Sequence, residues 1–150
     1  CRGMIRVQTE PFDPHAETDA FAKGRAEAGA LASFVGSVRD SAHGDVVSAL
    51  ELEAYPGFTE KQIGKIEADA RARFDLIDTL VIHRHGTLAP GDPIMMVATA
   101  APHRADAFAA AEFLMDYLKS RAPFWKKELG PEGVGWVPAK DDDEAALKRW

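Results

Sequence analysis

From Lys119 to Lys127 the chain carries four basic residues and no acidic one, within the run MDYLKSRAPFWKKE from Met115 to Glu128. The formal net charge of the whole chain is −6, so this is a local positive cluster on an acidic protein. Fixed cations beside Phe124 and Trp125 suit an anionic ligand, or a reaction in which negative charge develops. Lys119 alone would be an ordinary solvated lysine, favoured by the dipole at a helix C-terminus. Lys126, however, follows seven residues on, beyond Pro123, where the chain can fold back toward Lys119. Two ammonium groups held close together, or one partly desolvated by the aromatics, would give up a proton more readily and serve as acid, base or nucleophile. Arg121 would stay charged.

Two further groups could bind an anion. His103-Arg104 stands where a helix should begin, and backbone N–H groups there already favour negative charge. A guanidinium and an imidazole added to them make a phosphate or carboxylate cradle, although a surface His-Arg pair has the same spelling. Arg39 follows an apolar run and opens a polar loop with Ser37, Asp40 and His43, against the plainer alternative of a pair with Asp40. His83 and His85 share a strand face, but no third Cys, His or carboxylate stands at ligand spacing, so no metal is expected. Asp141 to Glu144 reads as solvated charge at the start of a tail helix. No GxGxxG, P-loop or GxSxG pattern is present, so dinucleotide, NTP and serine-hydrolase readings lack support, and no cofactor is expected.

Several elements must position these residues. Ile5 and Val7 predict a short opening strand, broken by Pro11 and Pro14, then a helix from His15 to Arg25. Gly29 to Arg39 reads as a buried strand, and Val46 to Ala54 as its antiparallel neighbour. Thr59 is the expected N-cap of a helix reaching Phe74, with Ile63, Ile66 and Ala70 on one face. Strands follow at Thr79 to Leu88 and Ile94 to Ala101, joined by the turn Pro90-Gly91-Asp92. Pro102 suits the first turn of a helix running to Arg121, whose core stripe is Phe108, Ala111, Met115 and Leu118. Phe34, Phe108 and Phe113 are expected in the core. The tail after Pro131 reads as loop and short strand. The element order predicts an α+β fold with a mainly antiparallel sheet and packed helices.

The 150 residues are expected to form one domain, with a core large enough to fold without disulfides. A hydrophobic content of 46% and a charged content of 28% exclude disorder, and a pI near 5.3 argues against nucleic acid or an anionic membrane as partner. No apolar run approaches the roughly 20 residues that span a bilayer, and the start has no apolar signal-peptide core. The single cysteine, Cys1, excludes an internal disulfide, so a cytoplasmic setting is expected. Cys1-Arg2-Gly3 ahead of Met4 reads as a cloning remnant.

The segments FVGSVRD (Phe34 to Asp40), LELEAYPGFTEK (Leu50 to Lys61), VIHRHGTLAPGD (Val81 to Asp92), APHRADAF (Ala101 to Phe108) and FLMDYLKSRAPFWKKE (Phe113 to Glu128) resemble the catalytic, large subunit of molybdopterin synthase. The similarity runs in register from Phe34 to Trp150, and the first thirty residues follow it loosely. It implies an α/β hammerhead-like core with a small additional β subdomain. It also implies an activity, the conversion of cyclic pyranopterin monophosphate to molybdopterin by installing two sulfurs as a dithiolene. The sulfur arrives as a thiocarboxylate on the C-terminal Gly-Gly tail of a small ubiquitin-like partner, and two large subunits form a central dimer flanked by two small ones. By motif, Lys119 and Lys126 become the catalytic pair. Arg39, His103 and Arg104 become the substrate pocket, with Ser37, Val38, Lys127 and Glu128 nearby.

The pattern departs from the family at two positions. Lys140 stands where the family often has an Arg reaching the neighbouring subunit's site, which keeps the charge and loses the bidentate fork. Ser37 stands where a Lys is frequent. Two rival readings differ in class: a module that only docks a ubiquitin-like tail, and an aldolase-type enzyme forming a Schiff base on lysine. Neither calls for the lysine pair together with the Arg39 and His103-Arg104 anion groups.

Overall fold

The structure is a computed structural model that describes the backbone of residues 3–42, 45–46, 49–121, 124–130, 133–136, 146–148 and 150. Side chains are described for these residues except 41–42, 45–46, 124–130 and 133–136. In chain order the elements are β1 (Met4–Gln8), α1 (Pro14–Ala22), β2 (Ala30–Ser37), β3 (Ser41–Ala42), β4 (Asp45–Val46), β5 (Ala49–Ala54), α2 (Phe58–Arg73), β6 (Asp78–Arg84), β7 (Gly86–Leu88), β8 (Pro93–Ala101), α3 (Arg104–Arg121), β9 (Phe124–Gly130) and β10 (Gly133–Trp136). The first sheet has the order β1-β6-β8-β2, in which β1 and β6 are parallel and the other pairs antiparallel. A second, fully antiparallel sheet has the order β10-β9-β5-β7, and β3 and β4 form a separate small hairpin. The chain is thus the expected α+β fold, mainly antiparallel, with an additional β unit.

The core follows from covering the first sheet on both faces. Val81, Met95 and Val97 meet Ile63, Ile66 and Ala70 of α2 and Leu114 and Leu118 of α3. Leu80, Ile82, Met96, Ala98 and Ala100 point the other way, onto Phe21 of α1. All seven residues of β6 are buried, as a strand between two layers requires. Near the chain's far end the Trp150 ring stands edge-on to Phe74 and Phe113, and its Nε1–H donates to Asp116 at 2.7 Å.

Several expectations are corrected. Strand β5 is not the neighbour of β2; it pairs with β7 and β9, while β2 takes β8. Pairing partners are chosen by which faces must be buried, and Leu50 and Leu52 alternate with Glu51 and Glu53, a one-faced pattern suited to the outer sheet. The expected strand from Thr79 to Leu88 is two strands. Gly86 adopts φ 93°, which a side chain disfavours, and there the chain leaves the first sheet for the second.

The helix boundaries and the core-facing stripe also shift. Asp13 caps α1, its carboxylate accepting from His15 N at 3.0 Å, with Pro14 in the first turn rather than as a breaker. Thr59 lies inside α2 and is buried; Gly57 is the cap position, and its N–H is taken by Glu60 at 3.0 Å. The helix α3 starts at Arg104, just past Pro102, and buries Ala107, Ala110, Ala111, Phe113, Leu114 and Leu118. Alanines let this helix lie close on the sheet and turn Phe108 outward, 67% exposed; Phe34 on β2 is also 45% exposed, whereas Phe113 is core. The Thr99 hydroxyl donates to Ala107 O at 2.7 Å and fixes that seat.

Candidate active site

Lys119 sits exposed in the last turn of α3, one residue after the buried Leu118 that anchors it. Its charge bears on His83, the penultimate residue of β6, which lies on the same sheet face as Val81. His83 is buried and its Nδ1 lies 2.8 Å from Arg84 O. A carbonyl only accepts, so Nδ1 carries the proton. Burial, followed by the charges of Lys119 and His85, pushes the imidazole's pKa down to about 4 against the opposing hydrogen bond to Arg84. The charge of Lys119 is therefore felt by an imidazole that burial keeps neutral.

Lys126 arrives from the second sheet. The register sets it opposite Leu52 of β5, which is in turn opposite Gly86 of β7. With strands about 4.8 Å apart, Lys126 and Gly86 have Cα atoms roughly 10 Å from each other. Gly86 is three residues from His83, so the strand that passes His83 on the first sheet passes the Lys126 row on the second. The two lysines thus reach the same end of the molecule from different elements. Lys127 lies in the row of Glu51 and Thr87, and Glu128 in the row of Leu50 and Leu88. Lys140 falls outside the described residues.

Ser37, Val38 and Arg39 leave β2 at this end too. The register shifts between Gly36 and Ser37, and Ser37 faces Pro93 at the start of β8. Val38 is buried against Leu50, Leu52 and Leu88, which places it beneath the same row as Lys126. Its N–H donates to Asp92 O at 2.9 Å and its carbonyl accepts from Gly91 N at 2.8 Å. Arg39 is thereby delivered, exposed, to the end that holds both lysines.

His103 and Arg104 are elsewhere. They open α3, whereas Lys119 closes it, and fifteen residues of helix span about 22 Å. The nine-residue strand β8 likewise separates Ser37, opposite Pro93, from the Ala101 end, where Ala30 pairs. The expected cradle of Arg39 with His103 and Arg104 is therefore not assembled within one chain. The helix hides this distance, because residue type carries no information about which end of the fold it serves. Arg84, at the strand end beside His83, carries no further signal in the sequence.

The stripe Arg104, Phe108, Met115 and Lys119 recurs at helical spacing along one side of α3. Phe108 on that side and Phe34 on β2 are both exposed, beside a strand edge that has β8 on one flank and no partner on the other among the described residues.

The family model described as MoaE protein matches residues 7–121. The chain is 62% identical over 146 residues to the molybdopterin synthase catalytic subunit of Cereibacter sphaeroides, covering 97% of this chain and 99% of that one. Among solved structures it resembles the molybdopterin biosynthesis MoaE protein of Burkholderia ambifaria, with a TM-score of 0.84 and 54% identity over 99% of this chain and 97% of that one. It also resembles the molybdopterin synthase of Staphylococcus aureus, with a TM-score of 0.81 and 30% identity over 89% and 96% of the two chains.

Proposed function

Because the chain belongs to the MoaE protein family, we propose that it is the sulfur-transferring subunit of a molybdopterin synthase, acting on cyclic pyranopterin monophosphate. The sulfur donor is the C-terminal thiocarboxylate of a small ubiquitin-like subunit, and the product carries a dithiolene. What supports this reading is that the last turn of α3, the Lys126 row of the second sheet and the exit of β2 lie toward one end of the fold. An anionic thiocarboxylate must approach an anionic substrate, and without these cations their repulsion would oppose the encounter. Lys119 orients the thiocarboxylate and stabilises charge at its acyl carbon; Lys126 passes protons to and from the substrate. Arg39 holds the phosphate, with Ser37, Val38, Lys127 and Glu128 around it.

His103 and Arg104 enter this site from a second copy of the chain. An isologous dimer that pairs β2 with its twin in antiparallel sense sets the Ala30 end of one strand beside the Ser37 end of the other. The twin's His103 and Arg104 then stand next to this chain's Arg39 and Lys119, and the exposed Phe34, Phe108, Leu31 and Val35 are covered. Lys140 is assigned to the same shared site. A biosynthetic enzyme of this kind belongs in the cytoplasm, and among the described residues no helix is long and apolar enough to cross a membrane.

The test is direct. The protein is mixed with the thiocarboxylated small subunit and cyclic pyranopterin monophosphate, and molybdopterin is assayed after oxidation to its fluorescent derivative. Product is expected from the wild type and its loss from Lys119→Ala, with the complex intact. Complex without product in the wild type would instead favour a tail-docking module. A covalent adduct trapped by borohydride would favour a Schiff-base enzyme.

A further inference from the structure

We propose that Arg84 is a positioning residue for Arg39, acting through the turn at residues 89–92. This rests on the reading of Arg39 as a substrate-binding residue. Arg84 is a guanidinium buried to 6% exposure at the end of β6, and a charge there needs partners. Its Nε and Nη2 donate to Thr9 O at 3.1 and 2.9 Å, which ties down the exit of β1. Its Nη1 lies 3.7 Å from the Asp92 carboxylate. That carboxylate also accepts from Ala89 N at 3.0 Å and so closes the turn on itself. The same turn then holds Val38 by two backbone bonds, Val38 N to Asp92 O and Gly91 N to Val38 O.

The guanidinium therefore fixes the turn, the turn fixes Val38, and Val38 sets where the chain delivers Arg39. Arg84 itself touches no solvent-facing site residue among the contacts described, so its effect travels through geometry. A fork of planar donors is what this needs, because one group must reach two segments in fixed directions; an ammonium offers charge without that spread. Substrate affinity should depend on the brace more than the chemical step does, because Arg39 binds and the lysines react.

The experiment uses the full chain with its small subunit and follows cyclic pyranopterin monophosphate. Arg84→Lys keeps the charge and loses the fork, and Asp92→Asn keeps the bond to Ala89 N and loses the ion pair. Each is expected to raise KM about tenfold with kcat within about twofold. In an Arg39→Ala background both should change KM by less than about twofold, because they act through the residue already removed. A rise that persists in full in that background, or a fall in kcat with KM unchanged, would overturn the proposal. So would an unaltered KM in both variants. If Arg84→Lys fails to fold, Asp92→Asn, altered at a half-exposed side chain, carries the test alone.

If the wild type makes no product, the functional reading fails on its own, and amide exchange at Val38 decides the brace. Asp92→Asn should speed exchange there about tenfold while the rest of β2 is unchanged. Equal exchange in the two proteins would dismiss it.

Discussion

The imidazole of His83 is held neutral by burial while an ammonium stands close by, and this has a consequence that can be titrated. An unfolded chain would protonate it near the ordinary value of 6.5, the folded chain only near 4. Between these values the unfolded state binds more protons, so stability is lost as pH falls through that window, by up to about 3 kcal/mol. Glu67 has the opposite sign: burial, opposed by Arg71, raises its carboxyl pKa, so its contribution declines as pH rises. Urea midpoints measured from pH 4.5 to 7.5 should therefore climb less steeply in His83→Gln than in the wild type; identical slopes would mean that His83 is not the group responsible. The lysine cluster is legible in the sequence, because a cluster of one charge sign is a matter of composition and spacing. The roles of His83 and Arg84 are not, because a neutral histidine and a bracing arginine are defined by burial and by partners such as Thr9 and Asp92, distant in sequence.

At the level of elements, what could be read was local and what could not was relational. The run from Gly29 announces β2 by its β-formers, but nothing local identifies the partners of β5, because adjacency in sequence does not decide adjacency in a sheet. The stripe on α3 was offset for a similar reason: Phe108 is more apolar than Ala107, yet the close approach of helix to sheet selects the smaller residue. Gly29 shows how tight that region is. A Cβ built there would lie 2.2 Å from Pro102 O, in the connection that leads into α3. Gly29→Ala should accordingly cost about 1–3 kcal/mol, read from the denaturant midpoint, although the residue is exposed. A midpoint within error of wild type would show that the β8–α3 connection gives way freely. Leu114→Ala, which empties a fully buried position between α3 and the first sheet, should cost more, about 2–5 kcal/mol by the same measurement.

For the whole molecule the decisive question is whether one copy completes another. A site drawing Lys119 from one chain and Arg104 from its twin makes a specific genetic prediction. Lys119→Ala and Arg104→Ala proteins, each inactive alone, should recover about a quarter of wild-type activity after subunit exchange, because half of the pairs are mixed and each mixed pair has one intact site. No recovery, with exchange verified by a mass-tagged chain, would place the whole site within one chain.

The edge of β2, unpartnered among the described residues, also bears on how the protein is handled. If β2 pairs with a twin as proposed, a newly folded chain first presents a strand edge unpartnered among the described residues, with apolar side chains beside it, an invitation to the wrong neighbour. Correct pairing and mispairing both quicken with concentration, but the folded twin offers a closed, self-limiting end state, while mispaired chains keep growing. Dilution, the usual remedy for poor refolding, would here lengthen the exposed interval, and yield should pass through a maximum at an intermediate protein concentration.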